Sequence, residues 1–141
     1  MNVKRNGLRL RSLKGVDPEV RRACLDFCKW LRKNIYFPVR IVIYLKKDYR
    51  LRNLAGEFVS ATFFAPYDKN VEPYIKIATG DFCELEKEWG RDRALAAYLN
   101  SIAHEIIHYI QWLNDLPFDE RKANYKSKKL VDKYALIKQH P

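Results

Sequence analysis

His104-Glu105-Ile106-Ile107-His108 is the stretch of this chain whose residue types and spacing can do chemistry. Residues four apart on a helix share a face, so the imidazoles of His104 and His108 can grip one zinc ion. Glu105, beside the first of them, is placed to take a proton from a water that such an ion activates. The chain has 3 histidines, His104, His108 and His140, and the motif uses two of them. The competing reading is a chance match on an amphipathic helix, with both histidines satisfied in the core.

Two imidazoles do not complete a catalytic zinc site, which takes three protein ligands and keeps one position open. The third ligand has to come from chain that folds back after His108. Leu116-Pro117 stops the motif helix and begins another, so the two helices can pack side by side. Glu120, in the first turn of that second helix, is the candidate, and the small Ala123 three residues later permits close approach. Asp119 is the neighbouring alternative and Asp132 a more distant one; stabilisation of a helix N-terminus is the plainer role for Glu120. Asn124, one turn beyond, is a candidate to hydrogen-bond a ligand histidine. Tyr74, Tyr125 and His140 are candidate donors to a developing oxyanion.

These residues need elements to position them. Asp17-Pro18-Glu19 is a helix start, and Val20, Ala23, Cys24, Phe27, Trp30 and Leu31 follow as an apolar stripe. Val39–Leu45, Phe58–Phe64 and Pro73–Thr79 are rich in β-branched and aromatic residues and read as three strands. Asp81 and Glu84 have capping-box spacing for a short acidic helix, which Gly90 interrupts. The motif helix then runs from near Asp92 to about Asn114, and the last helix reaches roughly Ile137. The expected fold is α+β, with helices packed on a small three-stranded sheet.

The chain has 141 residues, 48% of them apolar and 31% charged, enough for one core and a solvated surface. No run approaches the roughly 18 apolar residues of a membrane helix, and no signal-peptide core appears, so a cytoplasmic protein without membrane contact is expected. Cys24, Cys28 and Cys83 suit a reduced compartment, the first two as small core thiols rather than metal ligands. The net charge of +10 is uneven: residues 1–16 carry +5 with no acid, and residues 116–141 carry +4. Residues 1–16 therefore read as a basic arm, disordered or nucleic-acid-binding, ahead of a domain over 17–141.

The flanks of the motif, Ser101-Ile102-Ala103 before it and Tyr109-Ile110 after it, are uncharged and mostly apolar, and with them the chain resembles the zincin metallopeptidases. Another branch of zinc peptidases uses H-E-x-x-H-x-x-G-x-x-H/D, but Gln111 and Asn114 stand at its last two marked positions. With Glu120 the likeness is to the gluzincins, which take a glutamate from a following helix and usually place an aspartate where Asn124 stands. Among these it resembles the minigluzincins, small single-domain forms described as latent precursors. The resemblance implies a single zincin-like domain, Zn2+ bound by His104, His108 and Glu120, and Glu105 as general base. It also implies a peptide substrate that adds a strand to the sheet, for which Pro73–Thr79 is the expected edge. The alternative is a zinc-stabilised module that binds protein or nucleic acid without catalysis.

Overall fold

Leu8-Arg9-Leu10-Arg11 alternates apolar and basic side chains, the period of a half-buried strand. In the computed structural model, which describes residues 5–141, this segment is strand β1 (Leu8–Ser12). The basic arm expected over 1–16 is thus corrected: its second half belongs to the sheet, and only Met1–Lys4 lie outside the described residues. Helix α1 (Pro18–Asn34) follows, its start fixed by the Asp17 carboxylate accepting from the Glu19 N–H at 2.8 Å. Strand β2 (Ile41–Lys46) comes next, then a small hairpin of β3 (Leu51–Arg52) and β4 (Phe58–Val59). Strands β5 (Ala61–Phe64) and β6 (Tyr74–Ala78) lead to helices α2 (Phe82–Trp89), α3 (Arg91–Leu113) and α4 (Glu120–Ala135).

The main sheet has four strands in the order β1-β2-β6-β5. β1, β2 and β6 are parallel, and β5 runs antiparallel to β6. Two expectations change here. The second strand expected, 58–64, breaks at Ser60, whose carbonyl accepts from the Ala78 N–H at 2.8 Å, so Phe58–Val59 pairs in the hairpin instead. The third, expected at the edge, is internal: β6 hydrogen-bonds to β2 on one side and β5 on the other, which leaves β5 as the edge on that side and β1 as the edge on the far side.

The core forms where the helices cover one face of this sheet. Ile41, Ile43, Leu45, Ile75 and Ile77 pack against Phe27, Leu31, Leu95, Leu99, Ile102 and Ile106, all essentially solvent-free. Each such side chain contributes about 1.5–3 kcal/mol of transfer free energy. Among the described residues no helix is long and apolar enough to cross a membrane.

Three polar anchors along α3 set its height against the sheet. Tyr98 donates to the Asp81 carboxylate at 2.5 Å, and Arg50 reaches the other oxygen of that carboxylate at 2.9 Å. Asp81 therefore serves as a buried anchor rather than the side-chain cap expected for α2, which makes no such bond. Tyr109, fully buried, donates to the Val39 carbonyl and accepts from its N–H, and burial pushes its hydroxyl up to about 12. Trp112 donates to the Pro66 carbonyl at 2.7 Å. Gly80 allows the loop before the hairpin to cross closely, since a Cβ there would stand 2.5 Å from the Lys47 carbonyl oxygen.

Candidate metal centre

His104 and His108 lie in the second half of α3, between the Tyr98 and Tyr109 anchors, so their backbone is held firmly. The helical spacing brings their Nε2 atoms to 3.2 Å from each other. After α3 the chain reverses at Asp115, in the left-handed region at φ 54°, with the Leu116 N–H bonded to the Gln111 carbonyl at 2.9 Å. Asp119 then caps α4, its carboxylate accepting from the Lys122 N–H at 3.0 Å. That cap aims the next residue at α3. Glu120 places one carboxylate oxygen 3.1 Å from His104 Nε2 and the other 2.8 Å from His108 Nε2.

Donors held about 2.0–2.1 Å from one zinc ion at tetrahedral angles stand about 3.3 Å apart. The two ring nitrogens stand 3.2 Å apart, each faces its own Glu120 oxygen, and one ligand atom from each of the three residues lies within 4.8 Å of the others. His104, His108 and Glu120 are thus able to hold a divalent ion, and their nitrogen and oxygen atoms are the types zinc accepts. His108 is nearly solvent-free, whereas the Glu120 side chain is 70% exposed, so one side of the cluster opens outward.

Gln111 sets the state of His108. Its side-chain oxygen lies 2.8 Å from His108 Nδ1. The amide is oriented by the backbone of Asp119, which donates to that oxygen and accepts from the amide nitrogen, each at 3.4 Å. With Nδ1 donating to Gln111, Nε2 is the ring nitrogen on the Glu120 side, left to bind an ion. On His104, burial and the neighbouring His108 lower the ring's proton affinity, opposed by Glu120 and Asn124, which favours the neutral, ligating form. The ring of Phe118 covers His108 at 5.1 Å between centroids.

Glu105 is 8% exposed, and burial pushes its carboxyl up to about 7, with His108 opposing the rise and Glu120 adding to it. It shares with the cluster the wall of a cleft of about 1090 Å³, bordered also by the hairpin and by the edge strand β5. The chain matches no family model, no curated protein and no solved structure.

The other candidates separate. Asn124, one turn after Glu120, stands beside His104. Tyr74 borders the cleft. Tyr125 is exposed on α4, under Lys129, and His140 bonds Asp92 at 2.6 Å, about 18 Å along the α3 axis from His104. Asp132 is exposed and faces Lys128. Sequence reasoning passed over Gln111, although its spacing of three from His108 on a helix was a readable sign of adjacency.

Proposed function

We propose that this chain is a zinc-dependent metallopeptidase of zincin type, with His104, His108 and Glu120 holding the metal. The observation that carries the reading is the convergence of these three donors and buried Glu105 on one cleft beside a free strand edge. A zinc ion in such a site supplies Lewis acidity and a water acidified toward neutral pH.

The chain's own groups do the rest. Edge strand β5 offers unpaired backbone N–H and C=O groups to an extended peptide, in place of the Pro73–Thr79 edge expected from sequence. Glu105 accepts the proton of the attacking water and hands it to the departing amine, a role that favours a carboxyl poised near neutral pH. Gln111 keeps the His108 lone pair aimed inward, and Phe118 shields that ring from solvent.

The test is zinc content by mass spectrometry together with cleavage of an unstructured protein. Wild type should bind zinc and cut; Glu105→Ala should keep its zinc and lose about 100- to 10,000-fold in turnover. A wild type that takes up no zinc at micromolar concentration overturns the reading. Zinc bound without any cleavage would mark the latent or binding-only form.

A further inference from the structure

The face of the main sheet turned away from the helices carries cations and aromatic rings side by side. Strand register places Arg9 beside Val42 and Arg11 beside Tyr44, then Val42 beside Tyr74 and Tyr44 beside Lys76. Phe64 lies beside Tyr74, and Lys46, two residues beyond Tyr44, points the same way. The alternate residues Ile43, Leu45, Ile75 and Ile77 are buried on the helix side, which fixes the outward direction of the rest.

Two properties coincide there. Arg9, Arg11, Lys46 and Lys76 are all cationic, and the strands of this sheet contain no acid. No ion pair among the described residues involves any of the four. Between them runs a continuous set of rings. Phe64 stacks on Tyr74 with centroids 4.9 Å apart and planes 26° apart, and Tyr44 meets Tyr74 edge-on at 6.1 Å. Phe64 is 41% exposed, and both tyrosines are partly exposed. Three inter-strand steps make the platform about 14 Å wide.

We propose that this outer sheet face binds single-stranded nucleic acid. The arginines and lysines meet the phosphates, and unpaired bases lie against Phe64, Tyr74 and Tyr44. The combination selects the occupant. A peptide of acidic residues alone satisfies the cations but brings no rings to stack, and a duplex keeps its bases inside the stack. Phosphates and unpaired bases together use both halves of the surface. The inference does not depend on zinc or on proteolysis, although Lys46, Phe64, Tyr74 and Lys76 also border the cleft.

The experiment is fluorescence anisotropy of the full chain with a short fluorescein-labelled oligothymidylate between about 50 and 200 mM salt. Binding should weaken steeply with salt, and Arg9→Ala/Arg11→Ala should reduce the logarithmic salt slope by about 1.4. Tyr74→Ala should weaken binding about five-fold or more at an unchanged slope, with exposed Phe64→Ala as the second ring variant should Tyr74→Ala fail to fold. Three results overturn the proposal: no binding at about 50 mM salt, equal competition by duplex DNA or polyglutamate, or ring variants that bind like wild type. A loss confined to Lys128→Ala/Lys129→Ala, with Arg9→Ala/Arg11→Ala unaffected, also overturns it by moving the site to α4.

Discussion

Gln111→Leu separates the orientation of His108 from the packing around it. Leucine occupies nearly the same volume, but the 2.8 Å bond that keeps the proton on Nδ1 disappears. Loss of such a partner costs about 10- to 100-fold in metal affinity, or about 1.4–2.7 kcal/mol. The link to the Asp119 backbone is long at 3.4 Å and contributes little, but the buried His108 Nδ1–H loses its acceptor, so the metal-free fold should lose about 1–3 kcal/mol. Zinc titration against a chromophoric chelator measures the first quantity, and thermal melts without metal measure the second. Gln111→Glu keeps an acceptor facing Nδ1 and should retain wild-type affinity within about three-fold. The reasoning fails if Gln111→Leu binds zinc as wild type does. It fails equally if leucine and glutamate weaken binding to the same extent, since packing alone would then be responsible.

Gly80→Ala forces a Cβ to within 2.5 Å of the Lys47 carbonyl oxygen and should destabilise by about 1–3 kcal/mol in urea unfolding; an unchanged midpoint would refute the close crossing. Cys83 is exposed, whereas Cys24 and Cys28 are buried with thiols pushed up by desolvation, to about 12 for Cys28. One thiol should therefore react rapidly with a disulfide reagent in the native protein and two more only on denaturation; fast reaction of all three would contradict the packing of α1. Lys138 and Arg22 hold the Asp26 carboxyl below its usual range. The native state then binds that proton less tightly than the unfolded chain, so the stabilisation is present above pH ~4 and fades as pH falls through the lowered native value. Asp26→Asn should cost about 0.5–1 kcal/mol at pH 7 in this partly exposed site, and a gap that stays constant down to acid pH would refute the assignment.

Several parts of this arrangement were legible before any coordinates. The His104–His108 pair and the turn at Leu116-Pro117 are local signals, and they were enough to bring Glu120 to the two rings. The extents of α1 and α3 also followed from an Asp-Pro start and from Gly90, whose φ of 85° suits few other residues. Elements settled by distant partners were not legible. β1 alternates apolar and basic residues, but its position beside β2 depends on chain some thirty residues away, and its charge read more loudly than its period. Ser60 splits a run of strand formers only because Ala78 takes its carbonyl. Asp81 had the spacing of a helix cap, yet Tyr98 and Arg50 compete for the same carboxylate and win it. Gln111 acquires its role once the reversal at Asp115 folds Asp119 back over it, eight residues on, a turn geometry that apolar periodicity does not encode.

Helix α4 buries only Ala123, Ser127 and Tyr134, a thin seam for sixteen residues. Leu130 and Val131 pack half-buried against the core and Tyr134 meets Phe27 and Trp30, while Glu120 supplies the polar contact with α3 at the leading end. A cation shared by that carboxylate and the two rings of α3 would rivet the C-terminal segment in place, adding docking free energy that grows with the logarithm of ion concentration. Amide exchange along α4 would then serve as a gauge of how much free ion surrounds the protein.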